Sequence, residues 1–335
     1  MTVLITGGLG FIGSHTVVDL IEQGYDCVIL DNLSRTTIDV LEKIELIVQR
    51  KIPFMKVNML ESQALRNVFT QYDITSVIHF AGFKSVGESV QNPLVYYQTN
   101  LISTLNLIDI MQEFDVKKLV FSSSATVYGD LHIPPLREDL PLKALNPYGR
   151  TKLILEEILC DLVSSDNSWS IALMRYFNPI GAHKTGLLGE LPFGIPNNLM
   201  PHLLKVAIGE TSKLQIFGGD YDTEDGSCIR DFIHIMDLAS GHVRALDYLK
   251  KNAGCEAFNL GTGIGYSVLK LIDTFKEVTG IKVPFEIANR REGDIVVSIA
   301  DVTKAETLLG WKAKYNLSDM CEDAWNWELN RKRGE

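Results

Sequence analysis

A chain of 335 residues, 46% hydrophobic and 22% charged, has the length of about two domains and the composition of a globular protein. Disorder, collagen and coiled coil are excluded. Thirty-two Lys and Arg against 42 Asp and Glu leave a net charge of −10. That balance argues against general binding of nucleic acid, whose phosphates demand clustered cations, although a few converging cations can still hold a small anion.

In chain order, short β-branched runs alternate with helical patterns. Val3–Thr6, Asp26–Leu30, Pro53–Val57, Ser76–Phe80, Leu119–Ser123 and Ser170–Met174 read as strands, apolar on both faces as a helix-covered sheet requires. Helices are predicted near 13–23, 38–50, 61–71, 93–112 and 147–164. This alternation implies an α/β fold, a doubly wound parallel (Rossmann) sheet with right-handed crossovers. Residues 178–200 are rich in Gly and Pro and read as irregular, and Gly218–Gly226 is a second turn-rich stretch. Strand and helix signals return at Ile229–Ile235, Asp237–Leu249 and Ala257–Leu260. The expected organisation is a nucleotide-binding domain over 1–178 and a smaller C-terminal substrate lobe over 179–335, with segments near 229–262 rejoining the main sheet. Over 318–330, Ser318-Asp319 reads as a helix cap, and the Met, Cys and Trp residues behind it read as core.

Five cysteines at wide spacings, with no C-x-x-C, read as free thiols in a reducing compartment. The first residues enter a strand at once and leave no room for a signal peptide. No apolar run approaches ~18 residues, so no membrane partner is expected and the default location is cytoplasmic. Seven histidines without ligand spacing imply no metal.

The first strand runs into Gly7-Gly8-Leu9-Gly10-Phe11-Ile12-Gly13 and then a helix. Glycines at this spacing let backbone amides approach a pyrophosphate at the helix N-terminus, where the dipole favours an anion. Asp31, 18 residues beyond Gly13 at the end of the second strand, can accept from ribose hydroxyls and would repel a 2′-phosphate. NAD is therefore favoured over NADP. A later run, Gly261–Gly265, reads as turn chemistry, with Ser267 capping the helix after it.

The fifth strand ends in Ser122-Ser123-Ser124, and Tyr148 and Lys152 lie four apart at the start of a helix, hence on one face. Tyrosine, of reference pKa ~10, is a poor base at neutral pH, and a nearby ammonium is expected to lower that value. A serine hydroxyl could hold the substrate oxygen and relay the proton.

With these motifs in place, the runs HFAGFKSVGESV (79–90), FSSSATVYGD (121–130), RYFNPIGAH (175–183), GIPNNLMP (194–201) and RDFIHIMDLA (230–239) carry a resemblance over nearly the whole chain. It resembles the extended short-chain dehydrogenases/reductases, and among them the UDP-hexose 4-epimerase family. The resemblance implies redox-neutral inversion at C4 of a UDP-hexose, through a 4-keto intermediate, with tightly held NAD. It implies Ser124, Tyr148 and Lys152 as the catalytic set. Gly7, Gly10, Phe11, Ile12 and Gly13 would meet the pyrophosphate, Asp31 and Asn32 the adenosine ribose, and Asn58 and Met59 the adenine. Phe80, Ala81, Gly82, Lys84 and Thr99 would line the cofactor, with Phe177 flanking the nicotinamide. Asn178, Asn198, Leu199, Arg230, Arg291 and Asp294 would bind the UDP sugar, joined by Lys84, Ser124 and Tyr148. A homodimer through the helices at 93–112 and 147–164 is also implied.

Three positions depart from the family pattern. Asn58 stands where Asp is frequent, and its amide oxygen can still accept from adenine. Thr99 replaces an Asn found in some members. Ser298 replaces a bulky tyrosine carried by members restricted to plain hexoses, which should leave room for a 2-acetamido group. Other readings stay open: a sugar-nucleotide 4,6-dehydratase, a decarboxylase, or a non-catalytic NAD-binding regulator. Elimination needs an acid beside the serine, where this chain has Ala125 and Thr126, and a pure regulator has no need of Ser124, Tyr148 and Lys152.

Overall fold

In the computed structural model the described residues are 2–194, 198–291 and 294–334. The first half lays down β1 (Thr2–Thr6), β2 (Asp26–Asp31), β3 (Phe54–Lys56), β4 (Ile74–His79), β5 (Lys118–Ser122) and β6 (Ser170–Tyr176). Between them lie α1 (Phe11–Glu22), α2 (Asp39–Val48), α3 (Ser62–Gln71), α4 (Val86–Gln91), α5 (Pro93–Glu113) and α6 (Pro147–Ser165). All six strands and five of these helices fall where apolar patterning predicts them. The exception is α4, a six-residue helix too short to carry a period; the Ser85 hydroxyl caps it by accepting from the Glu88 amide.

The second half adds β7 (Asn178–Ile180), α7 (Leu199–Ala207), β8 (Leu214–Phe217), β9 (Ile229–Arg230), β10 (Phe232–His234), α8 (Ile235–Leu249) and β11 (Gly254–Leu260). It closes with β12 (Tyr266–Ser267), α9 (Val268–Thr279), β13 (Phe285–Ala288), β14 (Val297–Ser298) and α10 (Leu317–Gly334). The main sheet has seven parallel strands in the order β11-β6-β5-β4-β1-β2-β3. Its order reverses at β1, flanked by β4 and β2, and ligands of open α/β sheets bind beyond the strand ends at such a point. β11 extends the sheet beside β6, and α8 packs on α1 within one apolar cluster that includes Val17, Ile21, Leu238 and Leu246. Smaller two- and three-stranded sheets and α7, α9 and α10 surround a separate core of Leu203, Phe232, Phe275 and Trp327.

Three local readings change. Ile229–Ile235 is not one strand: it breaks at Asp231 into β9 and β10, which belong to different sheets. β9 pairs with β12 and β14 and β10 with β7, and between them the buried Asp231 carboxylate accepts from the amides of Thr262 (2.7 Å), Gly263 (3.0 Å) and Ala300 (3.1 Å). The Gly261–Gly265 run is thereby occupied within the fold. α7 begins inside the Gly/Pro-rich stretch, with Pro201 in its first turn where a missing N–H costs nothing. The cap of α10 is Asn316, whose side chain accepts from the Ser318 and Asp319 amides while Asp319 accepts from the Asn316 amide.

Candidate active site

The nucleotide end is built by β1, the glycine turn and α1. Gly7 has φ +67°, and a Cβ there would lie 2.7 Å from the Ala81 amide nitrogen. Gly13 lets α1 rest on the turn: its Cβ would lie 2.3 Å from the Gly7 carbonyl oxygen. Gly10 caps α1 without a side chain, so the amides of Phe11, Ile12 and Gly13 keep the open first-turn geometry that receives an anion. Asp31 ends β2 with its carboxylate accepting from the Leu9 amide at 3.2 Å and the Leu33 amide at 2.9 Å. Burial raises its pKa while those amides oppose the rise. This glycine cradle and carboxylate fit the pyrophosphate and ribose of a dinucleotide.

Asn32 is exposed and folds onto the Ser34 amide; Asn58 accepts from the Leu60 amide at 3.2 Å, beside buried Met59. Phe80 continues from β4, its amide donating to the Thr6 carbonyl, so Phe80 and Ala81 abut the glycine turn. Gly82 faces Asn100, whose side chain also holds the Phe83 backbone, and Thr99 is its neighbour on α5. Lys84 lies 5.8 Å above the Phe11 ring and pairs with Glu190 at 2.9 Å.

The predicted Ser124, Tyr148 and Lys152 come from two stretches, the end of β5 and the start of α6. Ser124 follows β5 and caps a short 3-10 turn, Ala125–Tyr128, by accepting from the Thr126 amide. Tyr148 and Lys152 rise from the first turns of α6, which Asn146 caps by accepting from the Gly149 amide at 2.8 Å. The buried Lys152 ammonium donates to the Ser122 carbonyl at 2.6 Å and lies 4.9 Å from the Phe121 ring. Phe177, directly after β6, is buried in a small cluster with Val127, Tyr128, Leu136 and Ala300. The expected lowering of the tyrosine pKa is not what the chain alone produces. Burial dominates and pushes the Tyr148 phenol up to about 12, with the Ser124 hydroxyl opposing the rise. The same burial pushes the Lys152 ammonium down to about 8.

A cleft opens at Asn178, the residue after Phe177, and is lined by residues of the second half of the chain. Asn178, Asn198, Leu199, Arg230, Arg291 and Asp294 all line it. The two arginines are not free cations. Asp294 lies 3.8 Å from Arg230 and 3.2 Å from Arg291, and Arg230 also donates to the Ile229 carbonyl. Sequence reasoning missed the Gln215–Phe217 wall from β8, Cys228, Phe232, Val268 and the Arg291 guanidinium 4.5 Å over the Phe217 ring. None carries a local motif. It also missed Glu190, which accepts from both Lys84 and, at 2.7 Å, Asn198. Ser298 is buried in β14 as the register partner of Arg230; its carbonyl accepts from the Asp231 amide. It is not among the described residues lining the cleft.

Comparison with known proteins places this geometry. Residues 4–324 match the family model described as GDP-mannose 4,6 dehydratase. The chain is 51% identical to the UDP-glucose 4-epimerase of Bacillus subtilis (strain 168), over all of this chain and 98% of that one. A UDP-glucose-4-epimerase structure from Stenotrophomonas maltophila, with bound NAD and formylated UDP-arabinopyranose, superposes with a TM-score of 0.98 at 46% identity, covering 100% of both chains. The UDP-Glc/GlcNAc 4-epimerase of Campylobacter jejuni gives 0.85 at 39% identity, over 98% of this chain and 99% of that one. No helix among the described residues is long and apolar enough to cross a membrane. With near-full-length relatives of this identity, the chain belongs to the nucleotide-sugar-modifying extended short-chain dehydrogenases/reductases and, within them, to the UDP-glucose 4-epimerase family.

Proposed function

We propose that this epimerase inverts C4 of a UDP-hexose without net redox change, binding NAD at the glycine cradle and Asp31 and the nucleotide sugar in the adjoining cleft. The observation that carries the reading is the buried Tyr148–Lys152 face beside Ser124 at the strand ends, next to a cleft holding two arginines. The reversible hydride acceptor this chemistry needs is supplied by NAD. Tyr148 exchanges the 4-hydroxyl proton, directly or through the Ser124 hydroxyl. Lys152, held by the Ser122 carbonyl, keeps a positive charge near the phenol. Arg230 and Arg291 are suited to clamp the pyrophosphate, each giving up part of its contact with Asp294 as phosphate oxygens arrive. Binding energy from the non-reacting UDP then holds the sugar near the reacting groups.

The dehydratase description of the matching family model favours a second reading, but the residues after Ser124 offer no acid for elimination. The test is to incubate the purified protein with UDP-glucose and no added NAD, then resolve the products. UDP-galactose is expected; a 4-keto-6-deoxy sugar, or no conversion, sinks the epimerase reading.

The finer substrate range is read from Ser298, outside the cleft lining but the register partner of Arg230 within it, where the resemblance implies a short side chain in place of an aromatic ring. The likeness to the C. jejuni enzyme, named for UDP-Glc and GlcNAc, supports activity on the N-acetylated pair as well. Ser298→Tyr is expected to lose conversion of UDP-N-acetylglucosamine by about 10- to 100-fold and to keep that of UDP-glucose, the range a single pocket contact commands. Equal loss of both shows that the effect is not steric.

A homodimer is the expected assembly. Residues 93–108 of α5 carry no charge, and Leu94, Val95, Ile102 and Leu105 are exposed, with Val90 of α4 beside them. An apolar stripe of this kind on a surface helix marks an interface. Sedimentation should give twice the chain mass for the parent and the chain mass for Leu94→Glu/Leu105→Glu. A monomeric parent at micromolar concentration removes the assignment.

A further inference from the structure

Tyr148, Lys152 and Glu156 stand at successive turns of one face of α6. The first two have chemical roles in the proposed reaction; the third has none there, yet its carboxylate accepts four hydrogen bonds. It is buried and accepts from Arg175 Nε at 3.0 and 3.1 Å, from Arg175 Nη2 at 2.6 Å and from the Ser123 hydroxyl. Arg175, equally buried on β6, donates through Nη1 to the Tyr128 hydroxyl at 3.2 Å and to the Glu138 carbonyl at 3.0 Å. Tyr128 in turn donates to Asn259 of β11 at 2.7 Å.

The placement of these bonds matters more than their number. Ser123 immediately precedes Ser124. Tyr128 ends the 3-10 turn that Ser124 caps. Arg175 lies two residues before Phe177 and three before Asn178, and Glu156 lies one turn beyond Lys152. One buried ion pair therefore ties together the strand end, the turn, the helix and the strand that deliver every member of the proton-transfer set. A buried ion pair contributes little net stability over apolar residues of the same volume, because desolvation offsets most of the attraction. Its directional bonds are what apolar packing cannot replace.

We infer that the Glu156–Arg175 pair is a positioning device for Tyr148, Lys152 and Ser124. The inference rests on the epimerase reading and deepens it. Geometry of this kind governs the chemical step, where a misplacement of ~1 Å can cost on the order of 100-fold in rate. It leaves the substrate anchors Arg230, Arg291 and Asn198, on other elements, in place.

The experiment compares the parent with Glu156→Met/Arg175→Met, which removes both charges together and leaves neither buried alone. Melting temperature, NAD content of the purified protein, and kcat and KM for UDP-glucose are measured on each. The double variant is expected to melt close to the parent and retain NAD and KM, while kcat falls by about 10- to 100-fold. Unchanged kcat in a stable double variant overturns the inference. So does a kcat that falls only in step with melting temperature or NAD content, since that is fold damage. If the double variant does not fold, Glu156→Gln, of equal size, is read by the same split and the same criteria. A parent that converts nothing sinks the epimerase reading and this inference with it; an active parent beside a fully active variant removes the inference alone.

Discussion

Tyr148→Phe should leave NAD bound and the fold intact while epimerisation of UDP-glucose falls by about 10²- to 10⁴-fold, the range general acid–base groups command. The substitution removes one oxygen from a buried ring and creates no cavity. The argument turns on the environment of that oxygen. Burial holds the phenol up to about 12 and the Lys152 ammonium down to about 8, so the chain alone keeps Tyr148 protonated across the physiological range. Its use as a base then depends on positive charge gathered nearby when the site is filled. Raising the pH favours the tyrosinate but discharges Lys152, whose lowered pKa places its loss of charge near pH 8. Activity should therefore rise with pH and then level or fall as the ammonium is lost. Measuring kcat from pH 6 to 10 checks the sign, and a monotonic rise through that range contradicts the role given to Lys152. Full activity of Tyr148→Phe would remove the tyrosine from the mechanism.

The second large effect is expected at the cradle. Gly13→Ala brings a methyl carbon to 2.3 Å from the Gly7 carbonyl oxygen and 2.8 Å from the Gly8 Cα, both backbone atoms that cannot swing aside. Alanine is otherwise the better helix residue by about 1 kcal/mol, so any loss runs against propensity and reports the clash. Overpacking of this kind costs about 1–3 kcal/mol, and here the strain falls on the turn proposed to present amides to the cofactor. The purified variant should carry little NAD, read by absorbance after denaturation, and little activity. Gly87→Ala in α4 is the control: no atom lies within 4 Å of the added carbon, and parental NAD content is expected. Parental NAD content in Gly13→Ala would show that the turn yields.

How much of this was legible in the sequence follows from how local each feature is. Five of the six strands of the first half are buried on both faces, so continuous apolar runs mark them; β3, at the sheet edge, is half-buried and the shortest. Tyr148 and Lys152 are legible because a spacing of four on a helix needs no tertiary knowledge. The break at Asp231 is not, since it depends on donors from residues 262, 263 and 300. The cap of α10 went to Asn316 because Asx geometry, absent from a residue pattern, selects among adjacent polar side chains. The cleft wall from β8 is equally silent: Gln215, Ile216 and Phe217 read only as another short strand. The charges of Arg230 and Arg291 were legible, but the carboxylate between them was apparent only in three dimensions.

The return of the chain to its first sheet bears on how the chain can be divided. β11 pairs with β6 along seven consecutive residues, Gly254–Leu260, and α8 seals α1, so the last strand of the nucleotide-binding sheet is made after most of the cleft. Cutting the chain after residue 178 would leave β6 as an open edge and bare the face of α1 that α8 covers. The first half is therefore not a folding unit by itself, although it carries the glycine turn, Ser124, Tyr148 and Lys152.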